Sequence, residues 1–176
     1  MSKGKINLIV AYDDNRGIGY KNGLPWPVNK EDMERFKRLT EGHIVIMGRK
    51  TWESIPAQYK PLKNRVNVVL TNQYLLDGQR FYNQEVTVFH ELDTIMNLLH
   101  FNWHESKEIF IIGGERAYRE ALELGRVDRV YATHLYGIFP ADRWFPLLPA
   151  ELSWRVARAS MLNGTGEFLT FTKETK

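Results

Sequence analysis

Cysteine is missing from all 176 residues, which excludes disulfides, iron–sulfur clusters and thiol catalysis together. Long apolar runs are missing too. No stretch approaches the ~18–20 residues of a membrane span. Residues 6–12 are too short for a signal peptide and are interrupted by Asn7, so a cytoplasmic location without a membrane partner is expected. Internal repeats, low-complexity tracts and linkers are also absent, and residues 1–176 read as one domain. A chain of that length buries about 70% of the surface its unfolded form exposes.

Charge of one sign is scarce overall but unevenly spread. The net charge is +3; residues 1–88 carry 14 Lys and Arg against 9 Asp and Glu, and residues 89–176 carry 10 against 12. A basic first half suits a polyanionic small molecule, a nucleic acid, or simply a solvated surface.

What is present is a recurrence of apolar, β-branched runs. Residues 6–11, 43–47, 66–70, 86–89 and 109–112 read as strands, and their near-continuous apolarity suits a parallel sheet covered on both faces. Helical patterns fall between them at 30–40, near 51–55, at 94–100 and at 116–124, the last closed by Gly125. Strand alternating with helix means an α/β layered sheet, mostly parallel and with helices on both faces. Near the end, Asn163-Gly164 separates two runs, 153–161 and 167–173, and predicts an antiparallel hairpin completing the sheet.

Residues 13–28 resist this scheme. They are rich in Gly, Asn, Asp and Pro, with no periodicity. Loops this long are usually functional lids or disordered segments, and Ile18, Leu24 and Trp26 favour a lid.

The helix after this loop carries an unusual acid. Asn29 is a good N-cap, with Val28 and Met33 at hydrophobic-staple positions. Asp32 then falls at the third helical position, where an acid is welcome as a cap and to the helix dipole. Its phase suggests more. At about 100° per residue Asp32 lies roughly 50° from the centre of the face made by Met33, Phe36, Leu39 and Thr40, whereas Glu31 lies about 150° away. A carboxylate in an apolar sector needs a partner and has its pKa raised, as suits binding a cationic or amidine-like ligand or helping deliver a proton.

Several motifs stand in order around this acid: Gly17-Ile18-Gly19-Tyr20-Lys21-Asn22-Gly23-Leu24-Pro25-Trp26, then Asp32-Met33 with Phe36-Lys37, then Ile46-Met47-Gly48-Arg49-Lys50-Thr51-Trp52-Glu53-Ser54-Ile55. Asn64-Arg65, Leu70-Thr71-Asn72, Ile111-Ile112-Gly113-Gly114-Glu115 and Tyr131-Ala132-Thr133-His134 follow. Together they closely resemble the dihydrofolate reductase family, from about Ile6 to the C-terminal hairpin.

That resemblance implies a single-domain fold of that family and NADPH-dependent reduction of dihydrofolate to tetrahydrofolate, with hydride to C6 and a proton to N5. The product supplies one-carbon carriers for thymidylate and purine synthesis. Asp32 matches the family's pocket carboxylate, which would pair with the 2-amino group and N3 of the pterin. It would also raise the basicity of N5, the proton itself arriving through water. Thr133 matches the strand threonine that hydrogen-bonds this acid. Trp26 matches a residue that binds an ordered water beside it, and Leu24 completes the implied catalytic set. Ile9, Val10, Ala11, Leu24 and Met33 match apolar walls around the substrate, as do Phe36, Ile55, Leu62 and Ile112; taken singly, each is equally an ordinary core residue. Tyr118 also falls on the substrate side, and Arg65 matches the arginine that clamps the folate tail's α-carboxylate.

The implied cofactor site is separate. Gly48-Arg49-Lys50-Thr51 and Gly113-Gly114-Glu115-Arg116 each join a strand to a helix start, where backbone N–H groups suit a pyrophosphate and glycine permits close approach. Ala11, Ile18, Gly19, Leu70, Thr71, Ile112, Ala117 and Tyr118 belong to the same implied site. Arg49, Asn72 and Arg116 match positions that meet an adenosine 2′-phosphate, which favours NADPH over NADH. No G-x-G-x-x-G occurs, which speaks against an ordinary Rossmann dehydrogenase.

Three departures from the family pattern stand out. Asp32 lies six positions after Trp26, one more than in many bacterial members, so Glu31 is a rival carboxylate. Ala141-Asp142 stands where Gly-Asp is common, and residues 73–108 are longer than in compact members. The nearest enzyme alternative is a relative of the same fold acting on a pyrimidine intermediate of flavin synthesis, which would not combine Leu24-Pro25-Trp26, Asp32 and Arg65. The non-enzymatic alternative is a nucleotide- or nucleic-acid-binding protein using the basic half, which predicts salt-sensitive binding. The resemblance instead implies a small-molecule substrate, dihydrofolate or a folate analogue, with no nucleic-acid partner, no metal and a monomeric chain.

Overall fold

A computed structural model of the chain describes residues 4–73, 75–76, 79–80, 86–102 and 107–173. In chain order the elements are β1 (Ile6–Asp13), β2 (Gly17–Gly19), α1 (Lys30–Thr40), β3 (Ile44–Gly48), α2 (Arg49–Ser54) and β4 (Val66–Leu70). They continue with β5 (Leu75–Leu76), β6 (Gln79–Arg80), β7 (Val86–Phe89), α3 (Leu92–Asn102), β8 (Ile109–Ile111) and α4 (Glu115–Glu123). The last are β9 (Arg129–Leu135), β10 (Arg143–Trp144), β11 (Trp154–Leu162) and β12 (Gly166–Lys173).

Eight strands form the main sheet in the order β11-β12-β9-β1-β8-β3-β4-β7. From β9 to β7 every neighbour is parallel; β12 runs antiparallel to β9, and β11 to β12. The mostly parallel sheet with a C-terminal antiparallel hairpin is therefore as the sequence predicts. At the hairpin's tip Asn163 and Gly164 both have positive φ (36° and 74°), and the Leu162 carbonyl accepts from the Thr165 N–H at 2.8 Å. Positive φ at both central residues is what makes Asn-Gly favourable there.

Strand alternation divides the core in two. Leu8, Val10, Ile44, Ile46, Val68, Ile111, Val130 and Ala132 pack on the face covered by α3 and α4, through Leu92, Ile95, Met96, Ala117, Tyr118 and Ala121. Ile9, Val45, Met47, Val69 and Phe110 pack on the other face with Trp52 of α2 and with Phe36 and Leu39 of α1. Residues one apart in a strand face opposite layers, so apolar runs on consecutive positions require both to be covered.

α1 keeps the predicted bounds and cap: the Asn29 Oδ1 accepts from the Asp32 N–H at 3.1 Å. α2, α3 and α4 begin one or two residues earlier than predicted. α4 closes as expected, with Gly125 at φ +65° and its N–H donating to Leu122 O. Of the long 73–108 stretch, residues 74, 77–78, 81–85 and 103–106 lie outside the described residues. No helix among the described residues is long and apolar enough to cross a membrane.

The 13–28 loop is more ordered than its composition suggests. β2 lies within it and pairs antiparallel with β10. The buried Asp13 carboxylate accepts from the N–H groups of Asn15, Gly17 and Phe139 at 2.9, 2.7 and 2.8 Å. Arg16 and Phe145 exchange hydrogen bonds at 2.8 Å, and Asp142 N–H donates to Gly19 O at 2.8 Å. The Ala141 departure is accommodated by Gly17, where an added Cβ would come to 2.7 Å from the Ala141 Cβ.

Candidate active site

Asp32 stands on the first turn of α1, but its carboxylate does not turn back to cap the helix. The Thr133 hydroxyl, from the middle of β9, donates to Asp32 Oδ1 at 2.5 Å. A threonine hydroxyl has one proton to give, and it is spent on Asp32 rather than on Glu31. Burial raises the Asp32 pKa above the usual carboxylate range, against the opposing pull of the Thr133 hydrogen bond and the Arg35 charge. The direction is the one its helical phase predicts.

Arg35, which the sequence reading passes over, lies beneath this pair. It is only 7% exposed. Its guanidinium donates to Ala132 O (3.1 Å), Thr133 Oγ1 (3.4 Å) and Leu169 O (3.2 Å), and stands 4.7 Å from the Phe168 ring centroid. The available sequence signal is its i, i+3 spacing from Asp32, which puts the two side by side on a helix.

The remaining predicted residues sort by face. Ile9, Phe36, Ile55, Leu62 and Ile112 share the cluster on the face covered by α1, the helix that carries Asp32. Val10 belongs to the opposite cluster, so only its backbone is on the Asp32 side. Tyr118 is also in that opposite cluster, yet its hydroxyl reaches Ile9 O at 2.7 Å, and burial together with the Asp32 charge pushes its pKa up. Ala11 packs beside Trp26, Leu135 and Leu162. Trp26 is buried, and its Nε1 makes no hydrogen bond among the described residues. Met33 is 47% exposed and Leu24 50%, so the apolar stripe of α1 stays partly uncovered, as does Leu24 in the 13–28 loop.

Arg65 is half-buried, donating to Lys63 O at 2.9 Å and to Thr40 Oγ1 at 3.2 Å, over the Phe36 ring. Its loop is pinned by another residue that the sequence reading leaves unremarked. Buried Asn67 accepts from Leu62 N–H (3.0 Å) and donates to Leu62 O (2.9 Å) and Arg65 O (3.1 Å). A lone amide inside the apolar run of β4 is the sequence signal for it.

At the C-terminal ends of the parallel strands, the two glycine joints lie side by side, because β8 pairs with β3. Gly48 N–H donates to Gly113 O at 2.7 Å, and the Gly113–Gly114 peptide is cis. Gly113 has φ +124°, and a Cβ on Gly114 would come to 3.2 Å from Thr51 Oγ1. α2 and α4 start here with Arg49, Lys50, Glu115 and Arg116 on their first turns. Arg49 is paired with Glu53 at 2.5 Å, Glu115 with Arg119 at 2.9 Å, and Arg116 is exposed. Ala117 is buried under the α4 start, and Ile18 and Leu70 pack against the same cluster. Thr71 joins the sheet edge through Phe89 O (2.9 Å), with Asn72 exposed beyond it. Gly19 lies on β2, within the 13–28 loop.

An open, mostly parallel α/β sheet with a buried, threonine-held carboxylate and two adjoining glycine joints at its strand ends has the form of α/β proteins that bind ligands at the carboxyl ends of their strands. A sequence model described as dihydrofolate reductase matches residues 5–171. The chain is 37% identical over 165 residues to the dihydrofolate reductase of Pneumocystis carinii, covering 85% of this chain and 77% of that protein. It is 41% identical over 151 residues to the enzyme of Schistosoma mansoni, covering 81% and 78%. It is 38% identical over 152 residues to that of Staphylococcus aureus, covering 86% and 84%. The chain belongs to the dihydrofolate reductase family. It is an oxidoreductase, and its reaction is the reduction of dihydrofolate to tetrahydrofolate with a nicotinamide cofactor.

Proposed function

We propose that this reduction uses NADPH and is organised around Asp32, with the Thr133–Asp32 hydrogen bond as the observation that carries the reading. The bond uses one lone pair of Oδ1 and leaves the second lone pair of Oδ1 and all of Oδ2 for a ligand. A pterin offers its 2-amino group and N3–H together, and a carboxylate takes such a pair in a bidentate, charge-assisted arrangement. Electron density returned through that pair makes N5 a better base. Trp26 Nε1, buried and without a hydrogen-bond partner among the described residues, supplies a donor suited to an ordered water beside the carboxylate. Ile9, Phe36, Ile55, Leu62 and Ile112 exclude bulk water from the ring, and Met33 and Leu24 complete the wall as the lid segment closes over it. Arg65, held by Asn67 and Thr40, receives the tail carboxylate. Every group invoked comes from one chain, so a monomer suffices.

The glycine cradle fits a dinucleotide. Three glycines permit close backbone approach at two adjoining helix starts, and side chains at Gly113 or Gly114 would press on Thr51. The cofactor supplies the hydride; the protein's part is placement and electrostatics. Arg116, with Arg49 and Asn72, would meet the 2′-phosphate that distinguishes NADPH from NADH. Replacing both arginines by alanine is expected to weaken NADPH about tenfold or more, since a charge-assisted hydrogen bond contributes about 1.5–3 kcal/mol. NADH affinity should change little. Fluorescence titration of both cofactors checks this, and equal losses would remove the 2′-phosphate assignment.

A further inference from the structure

We propose that Arg35 is a positioning residue: from behind Thr133 its buried guanidinium fixes the direction of the Thr133 hydroxyl and places a positive charge next to Asp32. The inference rests on the reading of Asp32 as the pterin-binding carboxylate.

The hydrogen-bond inventory dictates the direction. A guanidinium only donates, and a threonine hydroxyl has one proton and two lone pairs. Where Arg35 donates to Thr133 Oγ1 (3.4 Å), that oxygen accepts, and its single proton goes to Asp32 Oδ1 (2.5 Å). The guanidinium itself cannot drift. It is tied to carbonyls on two strands, Ala132 of β9 and Leu169 of β12, and covers the Phe168 ring. A solvated arginine would be screened; a buried one acts on its neighbour through a lower effective dielectric.

The surrounding charges leave Asp32 as its natural counter-charge. On α1 the other charge acting on Arg35 is Arg38, which repels it; on β9 it is the Tyr131 hydroxyl, itself contacted by Arg129 at 3.3 Å. From α4, Tyr118 faces Asp32 as a buried neutral phenol. The facing residues of β12 and β1, Phe168, Leu169 and Ile9, carry no charge. Arg35 thus offsets part of the penalty that burial imposes on the ionised Asp32. It remains protonated despite its own burial, which lowers its pKa.

The sign follows. Removing the Arg35 charge makes the Asp32 carboxylate harder to ionise, so its titration midpoint rises, by about one pH unit for a neighbouring opposite charge. The test is carbon-13 NMR of carboxyl-labelled aspartate, with Asp32 assigned from Asp32→Asn, alongside binding of a 2,4-diaminopyrimidine as a cationic probe. In Arg35→Gln, which keeps amide donors but no charge, the midpoint and the acid limb of probe binding are expected to move up together. Arg35→Lys, which keeps the charge, is expected to stay near the wild-type midpoint. In the wild-type protein, the Arg35 side-chain nitrogen resonances are expected to shift with the Asp32 midpoint, a measurement that holds even where Arg35→Gln does not fold. An unmoved midpoint in folded Arg35→Gln, or Arg35 resonances indifferent to Asp32 titration, overturns the proposal. Full turnover in Asp32→Asn would instead sink the underlying reading of Asp32, while leaving the Arg35–Asp32 coupling measurable.

Discussion

Asp32→Asn is expected to lower dihydrofolate turnover by about 10²–10⁴-fold near neutral pH, the range over which a positioned acid–base group contributes. The amide keeps the size of the carboxylate and can still accept from Thr133. What it loses is the charge and one acceptor oxygen, so it cannot take both pterin donors or raise the basicity of N5. Cofactor affinity should stay nearly unchanged, because the glycine cradle is formed by β3, β8, α2 and α4, whereas Asp32 is on α1. Absorbance loss near 340 nm with NADPH and dihydrofolate measures the first effect, and cofactor fluorescence the second. Glu31→Gln is the control. If Asp32→Asn turned over normally and Glu31→Gln did not, the roles of the two acids would be exchanged; if neither mattered, the mechanism would fail.

The same substitution has a stability consequence of the opposite sign. The folded-state pKa of Asp32 is raised by burial. The folded protein therefore holds the proton more tightly than the unfolded chain, and ionisation costs stability as pH rises from the ordinary Asp value through the raised one. Asp32→Asn removes that cost. The variant should be at least as stable as the wild type at neutral pH, with the difference vanishing in acid below the ordinary Asp pKa. Denaturation midpoints measured across that window check it. A carboxylate kept in place against the stability of the fold is consistent with a functional rather than a capping role.

Phe110→Ala is expected to cost about 3–5 kcal/mol of stability, the range for emptying a fully packed aromatic site. Phe110 lies on β8, the strand inserted between β1 and β3, and is 2% exposed. Its ring stacks against Tyr131 at 6.0 Å between centroids and lies 5.5 Å from the His43 ring. It contacts the layer formed by Ile9, Val45 and Met47, so truncation leaves a void that neighbours fixed in three strands cannot close. Urea denaturation monitored by tryptophan fluorescence measures it. A loss within the range of an exposed substitution would show that this layer is not close-packed.

Local chemistry made much of this protein legible. Asn29 before an amphipathic stretch gave α1 its bounds, and β-branched runs gave β1, β3, β4, β7 and β8 within two residues at any end. β9 was harder. Its residues Arg129 to Leu135 mix Arg, Tyr, Thr and His with apolar positions, so neither alternation nor a continuous apolar run marks it. It is a strand because β1 pairs with one edge and β12 with the other. The β2–β10 pair escapes for a related reason: three residues and two residues carry no periodicity, and long-range ties such as those of Asp13, Arg16 and Asp142 hold them together.

The sequence by itself determined the α/β class, the family motifs and the one acid whose helical phase was out of place. Those are properties of single elements, and period, capping and turn chemistry are written locally. Tertiary structure brought Thr133, which only the family resemblance had paired with that acid, against it, and added Arg35. Arg35 lies about 110° from the apolar centre of α1 at ~100° per residue, an orientation that reads as solvent-facing. It is buried because the β9–β12 part of the sheet lies against that side of the helix, placing Thr133 and the Ala132 and Leu169 carbonyls around it. No local pattern encodes a contact between residues about a hundred positions apart. Sheet order does.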